Sequence, residues 1–271
     1  MLKQRIVTAL ILAVVVVGSI LFGETRWVGL LFTLVVFAAT REFLALTLKP
    51  GPFTALIFAI LFAAFYWWSL ALATTQLVYW QSLAGIALWI LIAIGFVFYR
   101  HQDKRSLLAR VVMLGLGLDL LWIAGHGVVY LHRLHGGEVL LYMLTLVWLA
   151  DIGAYFSGRK FGKRKLAPSI SPAKTWEGVY GGILVNLVWI LLVFWFTGGW
   201  GFDFLAFVLI GIATVAVSVV GDLFESILKR EAGVKDSGQM LPGHGGVLDR
   251  IDSVIAATPV FVGGLMLAGS A

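Results

Sequence analysis

"FDFLAFVLIGIATVAVSVVGD", residues 202–222, is an almost purely apolar segment that ends in an aspartate. Its length matches the roughly 20 residues that an α-helix needs to cross a lipid bilayer. The sequence therefore predicts an all-α, polytopic integral membrane protein with about nine transmembrane helices and two polar cytoplasmic loops. The other eight predicted spans are residues 6–22, 27–48, 53–73, 77–98, 107–131, 138–157, 178–197 and 251–270.

The overall composition supports a protein surrounded by lipid rather than water. Of its 271 residues, 61% are hydrophobic and 13% charged, whereas soluble domains are about 45–50% apolar and about 25% charged. The chain has no cysteine, which excludes disulfides and thiolate chemistry. No polar stretch is long enough for a separate soluble domain. We expect one transmembrane domain over 1–271, with N-terminal helices in 1–110 and the candidate catalytic helices and loops in 138–271.

Basic residues fall in alternate connections between the predicted spans. Lys and Arg collect in cytoplasmic loops, so this bias predicts that the N-terminus and both long polar loops are cytoplasmic. We interpret the net charge of +6 as basic residues of these loops that face anionic lipid headgroups, and not as a surface that binds nucleic acid. Only Arg26 and Arg133 fall in the opposite connections. The Lys and Arg residues in the connections predicted to be cytoplasmic are Lys3, Arg5, Lys49, Arg100, Lys104, Arg105, Arg110, Arg159, Lys160, Lys163, Arg164, Lys165, Lys174, Lys229, Arg230, Lys235 and Arg250.

No targeting segment for an organelle is recognisable, and this favours the inner membrane of a bacterium. The first span follows Lys3 and Arg5 like the apolar part of a signal peptide. No small-residue cleavage site follows it, so we expect a retained helix.

Acidic residues mark the ends of two predicted spans. Asp222, Ser226 and Lys229 are spaced to share one helix face, together with Glu225, if the eighth helix continues that far. Charges at the edge of a span are costly and need a reason. Asp249 lies just before the ninth span, with Asp252 one turn later. Carboxylates that converge at the water boundary are ligands for Mg²⁺, which completes its shell with water and substrate phosphate.

The loop between these acids offers groups that bind anions. Lys229, Arg230 and Lys235 supply positive charge. The glycines of "PGHGG", 242–246, allow backbone amides to approach a phosphate closely. His244 has three interpretations: a proton carrier, a hydrogen-bond donor to a phosphate, or a turn residue.

The other polar loop, 151–178, has its own candidates. Ser171 followed by Pro172 predicts a helix start, which would place Lys174 and Glu177 one turn apart on that helix. Asp151 is a third carboxylate at the membrane edge. The basic run 158–166 is interpreted as a surface that faces lipid headgroups.

Asp119 lies inside the fifth predicted span. A carboxylate that faced lipid there would be costly. We therefore expect it to face protein, with His126 as a candidate partner.

Taken together, these residues indicate metal-assisted phosphoryl or nucleotidyl transfer to a lipid. Neither a P-loop nor an HExxH zinc motif is present. A transporter is the main alternative of another class. Its charges would line a path through the midplane, whereas here they cluster towards one face.

Residues 226–252 resemble the signature of the phosphatidate cytidylyltransferases, also called CDP-diacylglycerol synthases. A pattern of this length with so many fixed positions is very specific, and 151–178 is similar to the second polar segment of that family. Residues 1–110 carry no motif that tests the resemblance. The matching positions are Ser226, Lys229, Arg230, Lys235, Asp236, Gly238, Leu241, Pro242, His244, Gly245, Gly246, Asp249, Arg250 and Asp252.

The resemblance implies that CTP and phosphatidic acid react to CDP-diacylglycerol and pyrophosphate. It implies Mg²⁺ held by Asp222 and Asp249, with a monovalent cation such as K⁺ beside it. Two rival enzymes are a CTP-dependent lipid kinase and a cytidylyltransferase for another lipid phosphate. Glycine-rich spans such as 114–118 and 261–269 could pack helices closely, and a homodimer is compatible with them.

Candidate roles follow for the polar residues of the two loops. The expected catalytic residues are Asp222, Asp249, Lys229, Arg250 and His244. The expected substrate-binding residues are Ser226, Arg230, Lys235, Gly245, Gly246, Lys174, Glu177 and Asp151.

Overall fold

The computed structural model describes residues 2–99 and 105–269, without the side chains of residues 2–7 and 9. The protein is a bundle of α-helices with one small β-hairpin. The helices are α1 Leu2–Phe22, α2 Thr25–Thr47, α3 Pro52–Leu70, α4 Thr75–Val97, α5 Leu107–Phe161, α6 Trp176–Thr197, α7 Phe204–Ala232 and α8 Leu248–Leu267. The strands are β1 Lys165–Ala167 and β2 Ser171–Thr175, and a short 3-10 helix, Gly198–Gly201, follows α6.

The predicted fold class is confirmed. Within the described chain, seven helices, α2 to α8, are long and apolar enough to cross a membrane. A shorter apolar helix, Leu10–Phe22, lies in α1. The count of nine spans stays a prediction.

Helix α5 reverses its direction at Gly136. It is 55 residues long, which as a straight helix would measure roughly 80 Å against a hydrocarbon core of about 30 Å. Arg105, just before α5, pairs with Glu231 near the end of α7, whereas His135 contacts Phe202, just before α7. The backbone of Gly136 is non-helical, with φ 81° and ψ 175°. The two halves of α5 therefore correspond to the predicted spans 107–131 and 138–157.

The connections of the bundle lie at two ends, which we call the site end and the opposite end. The site end carries the α2–α3, α4–α5, α5–α6 and α7–α8 connections, and the opposite end carries the α1–α2, α3–α4 and α6–α7 connections with Gly136. Most described basic residues lie at the site end, whereas Arg26 and Arg133 lie at the opposite end. Lys3, Arg5, Arg100 and Lys104, used for the predicted orientation, lie outside the described side chains. Which end faces the cytoplasm stays a prediction.

Glycines bring α5 and α6 into backbone contact near the site end. A Cβ atom built on Gly182 would lie 2.8 Å from the carbonyl oxygen of Ala150, and one on Gly178 would lie 2.9 Å from that of Ala154. Small residues of this kind allow close packing of membrane helices. We call this contact the glycine interface.

The predicted helix start at Ser171 and Pro172 is wrong. Residues Ser171–Thr175 form β2, which pairs antiparallel with β1. The helix begins at Trp176 instead, and its N-cap is Thr175, whose Oγ1 accepts a hydrogen bond from the Gly178 N–H at 3.2 Å. Proline is tolerated in an edge strand, so Pro172 fits a two-stranded hairpin equally well.

The expected pairing of Asp119 with His126 is also wrong. His126 is buried, and its ring nitrogens lie 2.8 Å from Ser69 Oγ and 3.0 Å from Gln81 Oε1. Asp119 is exposed on α5. The two residues are two helical turns apart, about 10 Å along the axis, which explains why they do not pair.

Candidate functional site

The last turns of α7 form one polar face, as the spacing predicted. The helix continues to Ala232. Ser226 Oγ donates to Asp222 Oδ1 at 3.3 Å, and Lys229 Nζ donates to Glu225 Oε2 at 2.6 Å. These i, i+4 contacts align the four side chains along a single stripe.

Two lysines lie among the carboxylates at the site end. Lys174 Nζ, from β2, is 2.6 Å from Asp222 Oδ2. Lys229 Nζ is 2.6 Å from Glu225 Oε2 and 2.7 Å from Asp249 Oδ1. The Glu225 and Asp249 side chains are only 2% and 8% exposed. Lys229 is therefore the counter-ion of two buried carboxylates from different helices.

Four carboxylates from α5, α7 and α8 converge beside these lysines. The charges of Asp151, Asp222 and Asp252 are close enough to interact, and Glu225 interacts with Asp252. Glu225 Oε1 is buried without a hydrogen-bond partner. Asp151 and Asp222 were predicted at the site. Asp252 was noted beside Asp249 among the acids expected to converge, and Glu225 as a neighbour on the α7 face, but neither was assigned a role at the site.

The donor chemistry of this acidic cluster fits a hard divalent cation. Mg²⁺ takes one or two carboxylates and completes its shell with water and phosphate oxygens. Within residues 2–99 and 105–269, no three His, Asp or Glu side chains form a complete metal site by themselves. An unpartnered buried oxygen on Glu225 is the further feature that suits a cation.

Asp249 anchors the loop that precedes α8. Its Oδ2 accepts hydrogen bonds from the Gly246 N–H at 2.8 Å, the Ser237 N–H at 2.9 Å and Ser237 Oγ at 3.0 Å. Lys229 occupies Oδ1. Both oxygens of this predicted metal ligand therefore have protein partners. Oδ1 has Lys229 as its one described partner, so it keeps capacity for a further contact.

Glu42, on α2, is a site residue that sequence reasoning missed. It is 4% exposed. Its carboxylate accepts from the Val247 N–H at 2.9 Å, the Leu248 N–H at 2.7 Å and Ser237 Oγ at 2.9 Å. A buried acid with three such donors fixes the loop and the start of α8. A lone glutamate within an apolar span was the available signal.

Arg250 and His244 hold the loop in shape. Arg250 donates to the carbonyl oxygen of His244 from Nε at 3.1 Å and from Nη2 at 2.7 Å. Leu241 N–H donates to the Gly245 carbonyl at 3.0 Å, and Gly245 has φ +84°, which disfavours other residues. His244 Nδ1 is buried without a partner. In this arrangement the guanidinium of Arg250 is turned to the backbone.

Three predicted substrate-binding residues lie at the margin of the cluster. Arg230 is exposed, and its Nε lies 3.4 Å from the carbonyl oxygen of Ile170. Lys235 is exposed on the loop. Glu177 accepts from the backbone N–H groups of Lys163 and Arg164 at 3.0 and 3.1 Å. Glu177 thus closes the α5–α6 connection and does not share a helix with Lys174.

The fold and the site define a class of protein. It is a polytopic helical membrane protein with carboxylates and lysines clustered at one end. The profile of the Cytidylyltransferase family matches residues 3–267. The chain belongs to this family and is a nucleotidyltransferase enzyme.

Curated relatives match over nearly their whole length. The chain is 42% identical to a phosphatidate cytidylyltransferase of Pseudomonas aeruginosa over 276 residues, which are 99% of this chain and 98% of the relative. It is 36% identical to that of Brucella suis over 277 residues, 94% and 90% of the two chains. Identity to that of Staphylococcus haemolyticus is 34% over 278 residues, 96% and 97% of the two chains. The resemblance seen in residues 226–252 is therefore confirmed.

Proposed function

We propose that this protein transfers the cytidylyl group of CTP to phosphatidic acid and releases CDP-diacylglycerol and pyrophosphate. The names of its relatives support this substrate pair. The structural observation that carries the proposal is the meeting of Lys174, Asp222, Lys229 and Asp249 at one end of a membrane bundle. Cations and carboxylates in one place suit a triphosphate together with its metal.

The reaction needs little acid or base catalysis. A phosphate oxygen of phosphatidic acid is already an anion, so it attacks the α-phosphorus of CTP without losing a proton. The bond from the α-phosphorus to the bridging oxygen breaks, and pyrophosphate leaves. Catalysis then consists of positioning and charge neutralisation.

The carboxylates are assigned to cation binding. Asp222 and Asp249 are the proposed Mg²⁺ ligands, with Asp151 and Asp252 beside them, and a monovalent cation such as K⁺ is the proposed second ion. When bound, Mg²⁺ supplies neutralising charge for the phosphates. Without it, Lys174 and Lys229 neutralise the acids, at 2.6 and 2.7 Å from Asp222 and Asp249.

The basic side chains and the loop are assigned to the phosphates. Lys174 and Lys229 are the nearest ammonium groups to the acidic cluster. The flexible ammonium of lysine has three donors, so each can contact a carboxylate and a phosphate in turn. Arg230, Lys235 and Arg250 add positive charge at the margin, whereas Ser226, Glu177 and residues 244–246 shape the polar surface.

The substrates also determine the proposed location. CTP is dissolved in the cytosol, and phosphatidic acid is a bilayer lipid. We therefore assign the protein to the bacterial inner membrane, with the site end towards the cytoplasm. The clustering of described basic residues at that end supports this orientation.

The test is an assay of the full chain, purified in neutral detergent, with CTP labelled in the cytidine ring. We expect a lipid-soluble labelled product only when Mg²⁺ and phosphatidic acid are both present. Asp222→Asn should abolish it. Asp203→Asn is the matched control, because Asp203 caps the other end of α7 through the Leu205 N–H at 2.9 Å. Full turnover by Asp222→Asn would reject the assigned site.

The same assay separates the rival reactions. A CTP-dependent lipid kinase would transfer the γ-phosphate, so label there, and not in cytidine, would enter the lipid. A cytidylyltransferase for another lipid phosphate would leave phosphatidic acid unlabelled and label the alternative acceptor.

A further inference from the structure

A second polar cavity lies at the site end, between α2, α5 and α7. We call it the α2–α5–α7 pocket. Its volume is about 310 Å³, within the range of about 300–1,000 Å³ that is usual for small-ligand sites. Its described lining consists of Leu46, Thr47, Lys49, Arg105, Arg110, Met113, Leu228 and Glu231.

The pocket is separate from the acidic cluster. At about 100° per residue, Leu228 and Glu231 lie roughly 150° around α7 from the face of Asp222, Ser226 and Lys229. Neither Lys49, Arg105 nor Arg110 has a described contact with the carboxylates of the cluster. The pocket therefore opens on another side of the same helix.

The only carboxylate in the described lining is already neutralised. Arg105 Nε lies 2.9 Å from Glu231 Oε2, and Arg105 Nη2 donates to Oε1 at 3.1 Å. Tyr99 OH donates to the same Oε1 at 2.8 Å. Burial, with Glu231 beside it, raises the pKa of Tyr99 to about 12, so this phenol keeps its proton at neutral pH. Glu231 is thus satisfied by its own neighbours.

Two further cations in the lining retain donors. Arg110 Nε is buried without a hydrogen-bond partner. Lys49 Nζ donates to the Ala232 carbonyl oxygen at 3.0 Å, and an ammonium group has three donors in all. A buried N–H without a partner is energetically costly. An oxyanion in the pocket removes this cost.

The rest of the pocket is apolar and lies next to the membrane. Leu46, Met113 and Leu228 are its apolar lining residues. One turn before Arg110, Leu107 and Leu108 are 63% and 73% exposed at the start of α5. Exposed leucines at the end of a membrane helix face lipid. The pocket therefore combines a cationic part with apolar walls at the level of the headgroups.

We propose that the α2–α5–α7 pocket binds the phosphate headgroup of an anionic phospholipid, at a site separate from the reaction site. Arg110 and Lys49 contact the phosphate oxygens. Leu46, Met113 and Leu228 contact the glycerol and the first methylenes of the chains. Arginine suits this role because its planar fork matches phosphate geometry.

The test measures lipid binding by native mass spectrometry of the full chain in neutral detergent. The probe is phosphatidylglycerol, which carries one negative phosphate and is not a substrate of the proposed reaction. We expect it to bind more tightly than zwitterionic phosphatidylcholine. Arg110→Gln should weaken its binding about tenfold or more, because charge-assisted hydrogen bonds are the strong ones. Arg110→Lys should restore part of the affinity.

The control is Arg159→Gln, on the same helix and at the same end, where the arginine is exposed. It should leave the affinity unchanged. Equal losses in both variants would indicate general attraction to the basic surface and overturn the proposal, as would unchanged binding by a folded Arg110→Gln protein. Thermal unfolding in the same detergent identifies a variant that does not fold, and Lys49→Gln is then the second test.

Two competition experiments distinguish a lipid phosphate from a soluble one. Inorganic phosphate and glycerol 3-phosphate, at millimolar concentration, should not displace the lipid, since they lack the apolar part. Displacement by either would assign the pocket to a soluble anion and reject the lipid. Asp222→Asn should retain phosphatidylglycerol binding, so that this proposal and the proposed reaction succeed or fail separately.

Discussion

At the scale of single residues, the site depends on one buried ammonium group. Lys229 lies within 2.7 Å of carboxylates from α7 and α8. Removal of one partner from a buried ion pair typically costs about 3–5 kcal/mol, because the remaining charge is uncompensated. This lysine therefore contributes to folding as well as to the proposed binding of phosphate.

Lys229→Met should lower both the unfolding temperature and the turnover of CTP. Methionine has a similar length but leaves Glu225 and Asp249 without a counter-ion. Lys163→Met, at an exposed position, is the control and should behave like the original protein in thermal unfolding in detergent. An unchanged unfolding temperature for Lys229→Met would contradict the buried pair.

Glu42→Gln should loosen the loop before α8. The amide NH₂ of glutamine would face an N–H donor where a carboxylate oxygen now accepts one. We expect faster hydrogen exchange at residues 237–248 and at least a tenfold loss of turnover. Glu138→Gln, at an exposed glutamate, should change neither. Normal exchange in the Glu42→Gln loop would show that this acid does not position it.

The residues of the site were predictable to different degrees. Asp222 and Asp249 stand out because they end or begin apolar runs. Glu42 was missed because its partners Ser237 and Val247 lie about 200 positions away, a separation that local spacing cannot reveal. Lys174 was expected to lie one helical turn from Glu177 and to bind substrate, and its observed partner, Asp222, lies on another element.

At the scale of elements, the spans were predictable, whereas the backbone structure of their junctions was predictable only in part. Apolar length fixes where a helix crosses a membrane, and this located every helix from α2 to α8. The break in α5 was predicted as the connection between spans 107–131 and 138–157, but apolar length alone did not identify Gly136 as the single residue that makes the reversal. The β-hairpin was missed because Ser-Pro serves a helix start and an edge strand equally.

Gly136→Ala should destabilise the bundle through its backbone alone. Its φ of 81° and ψ of 175° are nearly restricted to glycine and cost other residues about 1–3 kcal/mol. No packed neighbour from elsewhere in the described structure lies within 4 Å of a Cβ built there, so tertiary packing does not contribute. Gly115→Ala, equally open but helical, should be neutral or stabilising in thermal unfolding. A lower unfolding temperature for Gly115→Ala than for Gly136→Ala would contradict the positive φ assigned to Gly136.

At the scale of the whole molecule, basic charge distinguishes the two ends. Trp27, Trp67, Trp68 and Trp195 are exposed near the opposite end, where such rings suit the headgroup region. The described basic residues cluster at the site end. Composition alone predicted a membrane protein, and the alternation of basic loops predicted its orientation.

The absence of cysteine makes the orientation directly measurable. Lys163→Cys marks the site end, and Leu72→Cys, at a position that is 52% exposed, marks the opposite end. A membrane-impermeant maleimide should label Leu72→Cys in intact bacterial spheroplasts and Lys163→Cys only after lysis. The reverse pattern would place the site outside the cell.

The glycine interface has a consequence for how a bulky substrate reaches the acids. Because the backbones of α5 and α6 are in contact, no acyl chain fits between these two helices at the level of the glycine interface. Asp151 lies on α5 beside this contact. A lateral opening from the bilayer to the acids must then lie between a different pair of helices. Diffusing lipid would therefore not reach the acids between α5 and α6 at this level.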